Sequence, residues 1–189
     1  KGSASKKSDI DFFTVTQEGR LWIARTLLIL FKKGFLVNRK RFFCLNHIVT
    51  ESHLQVEERN IYTATEVATL LPLENDTLFS HYMRANEWIT QFFPNWKIDE
   101  RLLHPDRERA SVVSDFVEWI IPDHVAQRLD RWLMLKWQRI WHTRYSNLSD
   151  EERHRKFKCS EYISTAYGED YQDRVVRAFK VRLQTYNVT

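Results

Sequence analysis

Glycine and proline are scarce in this sequence, with four of each in 189 residues. That scarcity argues against a chain rich in tight turns and for a mostly helical one. The only cysteines, Cys44 and Cys159, exclude a disulfide framework and fit a reducing cytosol, so a cytoplasmic location is expected. No secretory leader is visible, and Lys1 in place of Met reads as a processed, engineered or truncated start. Long apolar runs are missing too. The most apolar stretch, Leu21 to Phe31, is interrupted by Arg25 and is too short to span a bilayer, so no membrane partner is expected. There is no CxxC pair, metal-binding His pair, Walker loop, nucleophile elbow or internal repeat.

The composition that remains is that of a globular protein, 43% hydrophobic and 29% charged, long enough for one domain or a domain with an appended subdomain. Seven Trp and twelve Phe belong in a core or at an interface. The net charge is +4, and the whole basic excess lies from Pro122 onward. Such an excess fits binding of NTP or nucleic acid, and it fits a solvated helical surface equally well.

Most of the chemistry is at the beginning. Gly2-Ser3 leads through a polar loop into Ser8-Asp9-Ile10-Asp11 and an apolar run to Thr16. Side chains alternate along a strand, which sets Asp9 and Asp11 on one face and Ile10 and Phe12 toward the core. Two carboxylates about 7 Å apart on one face can share a divalent metal. Glycine lets backbone approach a phosphate, and free N–H groups with a hydroxyl can bind its oxygens. The same residues also occur as a solvated strand end and as a cloning remnant.

Together, Gly2-Ser3, Ser8-Asp9-Ile10-Asp11 and the following strand resemble the signature of the DNA polymerase beta superfamily of nucleotidyltransferases. From Asp9 to Pro72 the run is similar to bacterial proteins described as nucleotidyltransferase-domain proteins. The resemblance implies transfer of a nucleoside monophosphate from an NTP to an acceptor (small molecule, protein or RNA), with Mg²⁺ or Mn²⁺. It implies Gly2 and Ser3 on the triphosphate, and Asp9 and Asp11 as catalytic metal ligands. The family places a helix and a strand ahead of this motif, so the domain is expected to be N-terminally incomplete. A third carboxylate is expected on a neighbouring strand, where this sequence has Asn46, a neutral and poorer Mg²⁺ ligand; Glu51, Glu57 and Glu58 are the other candidates. Two further readings stand beside transfer: an inactive nucleotidyltransferase-like scaffold that binds nucleotide or a partner, and a basic helical nucleic-acid-binding protein.

The expected fold class is α+β, a small mixed nucleotidyltransferase-type sheet with flanking helices, followed by a mainly helical half. The expected domains are 1–100 and 110–189, with Leu102 to Arg109 as the linker. Leu21, Trp22, Ala24, Leu27, Leu28 and Phe31 recur at helical spacing, and Lys32-Lys33-Gly34 signals a helix end. Phe42 to Val49 reads as a strand with Phe42, Cys44, Asn46 and Ile48 on one face. Asn46 either meets Asp9 and Asp11 there or bonds its local backbone. Ile61 to Leu71 reads as a helix closed by Pro72, with Ile61, Ala64, Thr65, Ala68 and Leu71 inward. Asp76 or Thr77 caps the next helix, which ends near Phe93. A long helix is expected from His124 to Tyr145, its Trp residues either core or base-stacking. Ser149 to Glu152 resembles a capping box, and Arg153 to Lys158 is a basic run. A last helix is expected from Asp170 to Tyr186, with Tyr171, Val175, Val176, Phe179 and Leu183 as its apolar stripe.

Overall fold

A computed structural model of the chain describes residues 10–35, 43–73, 76–98, 122–167 and 171–186. Gly2, Ser3, Asp9, the apolar run from Val112 to Ile120 and the expected linker at 102–109 lie outside the described residues. The architecture is mixed α+β. Its strands are β1 (Asp11–Thr16), β2 (Cys44–Thr50) and β3 (Ile163–Thr165). Its helices are α1 (Leu21–Phe35), α2 (Ile61–Ala68), α3 (Asp76–Ala85), α4 (Asp123–Arg144), α5 (Asp150–Lys156) and α6 (Tyr171–Thr185).

The strands form one sheet in the order β1-β2-β3. β1 and β2 run parallel, with α1 in the connection that parallel neighbours require. β3 is only three residues long and pairs antiparallel with β2. The β1–β2 register is broken once. Asp11 faces Cys44 and Phe12 faces Leu45, but Phe13 faces His47, which leaves Asn46 as the extra residue of a β-bulge. The bulge corrects the strict alternation expected of β2. Ile48 is turned to the side of Leu45, and both join Leu21, Trp22, Trp141 and Phe157 in one core cluster. Ile10, expected inward, is 53% exposed, because it precedes the first paired residue of an edge strand.

The chain divides into two compact units, Lys1–His53 with Glu118–Gly168, and Leu54–Val117 with Glu169–Thr189. Neither is a continuous stretch, unlike the consecutive domains expected from the sequence. The first unit gains α4 because α4 supplies the polar and apolar partners of α1. Asp130 accepts the backbone N–H of Trp22 at 2.6 Å and of Ile23 at 2.8 Å, so a carboxylate from another helix caps the start of α1. Trp22 also meets Trp141 edge to face, with ring centroids 5.7 Å apart. Arg25, which looked like an interruption in an apolar run, is 2% exposed. Its guanidinium lies 4.8 Å from the Trp141 ring centre and 5.5 Å from that of Trp137. Leu27 and Phe31, expected inward, are exposed instead.

Within α4, Trp141 is core and Trp137 packs against the core, whereas Trp132 is 51% exposed. The Ser149 capping box forms as expected, with Ser149 Oγ accepting the Glu152 N–H at 3.2 Å. Arg153, at the head of the basic run, is spent on structure. It pairs with Asp150 at 2.8 Å and donates to the Leu148 carbonyl at 2.9 Å.

The second unit centres on Asn86, which is fully buried. Its amide nitrogen donates to the carbonyls of Leu54 and Tyr82, both at 2.8 Å. Its oxygen accepts the Val56 N–H at 2.8 Å and the Trp88 indole at 3.0 Å. The run Ala85 to Trp88 is therefore a packing hub. α2 begins with its own capping box, Asn60 accepting the N–H groups of Tyr62 and Thr63. It ends at Ala68, four residues before Pro72, with Ala64 and Val67 inward and Thr65 and Leu71 outward. α3 starts at Asp76 and stops at Ala85, followed by a 3-10 turn, Glu87–Gln91. α6 packs on α2, and Gln172 bonds Glu58 across that contact, while Val175 and Phe179 are exposed. Val176 and Leu183 of the stripe expected on α6 are half-buried, and Gln172 shares their side of the helix.

Candidate site at the head of the first strand

Asp11 is the first residue of β1, and its carboxylate is exposed. The bulge residue Asn46 reaches it from β2, with Asn46 Nδ2 donating to Asp11 Oδ1 at 2.8 Å. The Asn46 side chain therefore crosses to the neighbouring strand rather than serving its own backbone. Its other end is also occupied. Cys44 Sγ lies 3.2 Å from Asn46 Oδ1, donating its proton. Burial first, and then the Asp11 carboxylate, push the Cys44 thiol up, which keeps it protonated and able to donate. Three side chains thus form a chain of donors and acceptors, thiol to amide to carboxylate, along the head of the β1–β2 pair.

That geometry defines what the cluster can do. Asp11 offers hard oxygen to a divalent cation. Asn46 presents its NH₂ to Asp11 and commits its oxygen to Cys44, so as arranged it supports Asp11 and does not ligate beside it. Among the described residues, no group of three or more His, Cys, Asp or Glu side chains is placed to hold a metal. Gly2, Ser3 and Asp9, the other expected site residues, lie outside the described residues.

The remaining acidic candidates have other settings. Glu51 starts the 3-10 turn beyond Thr50, at the far end of β2. Seven residues of extended chain from Cys44 to Glu51 span about 20 Å, so Glu51 cannot share a cation with Asp11. Glu57 and Glu58 belong to the second unit, where Glu57 is exposed and Glu58 accepts Gln172 Nε2 at 2.8 Å.

A second feature of the first unit was not singled out from the sequence. At the carboxyl ends of β1 and β2, a cleft of about 310 Å³ is lined by Gln17, Glu18, Arg20, Glu51, Asp123 and Gln127 among others. Glu18 accepts the Ser52 N–H at 2.9 Å, and hydrogen bonding from the Ser52 side chain first, with the backbone bond adding to it, holds its carboxyl below the ordinary range. Arg20 pairs with Asp123 at 2.9 Å. Gly19 allows the turn there, at φ 71° and with Gln127 against its Cα. Only the glycine-containing turn Gln17-Glu18-Gly19 is local in sequence, since Asp123 and Gln127 arrive from a helix more than 100 residues away.

Comparison with known proteins finds no matching family model, no matching curated protein and no matching solved structure.

Proposed function

We propose that the chain is an Mg²⁺-dependent nucleotidyltransferase domain that moves a nucleoside monophosphate from an NTP to an acceptor. Asp9 and Asp11 hold the cation, and Gly2 and Ser3 take the triphosphate. The observation that carries the reading is the 2.8 Å bond from Asn46 to Asp11. It brings the β2 position expected to complete the site into direct contact with the Asp-x-Asp strand. Asp11 fits the role because it is an exposed carboxylate at a strand head, fixed in orientation by an amide donor. When bound, Mg²⁺ would neutralise phosphate charge and favour departure of pyrophosphate. The chain's own contribution is positioning, with Asp11 held by Asn46 and the amide held by Cys44.

A second reading is favoured by one specific observation. Asn46 is neutral and directs its NH₂ toward Asp11, an arrangement suited to a scaffold that binds nucleotide without transferring it. Calorimetry with NTP and Mg²⁺, paired with a pyrophosphate-release assay, separates the two. Release abolished by Asp11→Asn supports transfer. Metal-dependent NTP binding without release supports the scaffold, and absence of Mg²⁺-dependent NTP binding removes both.

A further inference from the structure

We propose that the outward face of α4 is a binding surface for single-stranded nucleic acid, a reading independent of the transferase proposal. Over its 22 residues α4 carries Arg128, Arg131, Lys136, Arg139 and Arg144, against only two carboxylates. Both carboxylates are engaged elsewhere. Asp130 is buried against the start of α1, and Asp123 pairs with Arg20. At about 100° per residue, Arg128, Arg131 and Arg139 fall within one narrow arc opposite the buried residues Ala126, Asp130 and Trp141. All three are exposed, and none makes an ion pair or hydrogen bond among the described residues. The column runs for about 16 Å along the helix. A row of unpaired guanidinium groups matches a row of phosphates, which the planar fork binds with two donors at once.

The aromatic residue on this face decides between polyanions. Trp132 stands beside the column with half its surface exposed, and Lys136 Nζ lies 4.0 Å from its ring centre on one side. An exposed indole fixed by a cation is a platform for a base that is free to stack. A duplex keeps its bases inside and would use the arginines alone. A lipid surface would need the broad apolar face of a helix to enter the bilayer interface. In α4 Leu133, Met134 and Trp137 pack against the core cluster around Trp141, while Val125, Leu129, Leu135 and Ile140 are exposed beside the arginines, so phosphatidylserine vesicles form the contrary arm of the test.

The test is fluorescence anisotropy of a labelled 20-nucleotide oligouridylate with the full chain, across a salt series. Three to four phosphate contacts give a slope of log K on log salt of about −2 to −3 for a single strand. Arg128→Gln, Arg131→Gln and Arg139→Gln combined should bring that slope toward zero. Trp132→Ala should weaken binding about tenfold at unchanged slope, and Trp132→Phe should restore most of it. Arg128→Glu alone, an exposed single change, serves if the triple variant fails to fold by circular dichroism. Tighter binding to a 20-base-pair duplex or to phosphatidylserine vesicles, no binding at low salt, or a slope unaffected by the arginine changes would each overturn the proposal.

Discussion

Asp130 Oδ1 lies 2.6 Å from the backbone nitrogen of Trp22, so the first turn of α1 is closed by a carboxylate 108 residues along the chain. The second bond, from Ile23 at 2.8 Å, makes the same oxygen a double acceptor. Removing it strands two buried donors. We expect Asp130→Ala to cost about 2–3 kcal/mol of stability. Asp130→Asn keeps an acceptor and should lose less than half of that. Urea denaturation followed by tryptophan fluorescence measures both.

The same carboxylate sets a pH dependence. Burial pushes the Asp130 carboxyl up, and the two backbone bonds only partly oppose it. The folded state therefore holds this proton more tightly than the unfolded chain. Its contribution is full below the unfolded carboxyl range and is lost as pH rises through the folded value. The stability difference between the native chain and Asp130→Asn should shrink as pH rises from about 3 to 6. A difference that grew over this interval would contradict the assignment.

Arg25 is a cation in a tryptophan core, with Nε and Nη1 lacking hydrogen-bond partners. Burial pulls its guanidinium down to about 10, which marks a cost of ionisation inside the fold. Cation–π contact with Trp137 and Trp141 offsets part of it. A flexible apolar side chain of similar length should do as well or better, so Arg25→Met is expected to stabilise by about 1 kcal/mol. A loss above 2 kcal/mol in the same urea assay would show that the contacts outweigh the desolvation.

Asn46→Asp tests the candidate site without needing activity. It replaces the amide donor 2.8 Å from Asp11 with a second carboxylate. Two like charges this close should lower stability by about 1–2 kcal/mol without divalent cations. Mg²⁺ at millimolar concentration should recover most of that loss if the strand head binds cations. Thermal melts with EDTA and with Mg²⁺ give the comparison, and a variant indifferent to Mg²⁺ would count against a metal at Asp11.

Asn86→Ala removes four bonds at one buried residue and leaves the Val56 N–H and the Trp88 indole without their acceptor. We expect a loss of about 3–4 kcal/mol, localised to the second unit. Hydrogen exchange at the Val56 amide should accelerate in this variant while the Trp22 amide of the first unit keeps its protection.

The residues that state their own structure did so from sequence: the apolar period of α1, the length of α4, the Ser149–Glu152 box, and the strands on either side of α1. These are set by neighbours three or four positions apart, and such neighbours are visible in the sequence. Tertiary structure alone decided the rest. β3 is too short to signal itself and exists because β2 offers an edge. Asn46 became an extra residue only when β2 was laid in register against β1, and that bulge turned Ile48 inward. Arg25 is buried because α4 placed two tryptophans on it, while Asp130 caps a helix it never adjoins in sequence. Local pattern fixes which segments are helix or strand; where a polar group finds its partner depends on chain closure over a hundred residues, which no local spacing records.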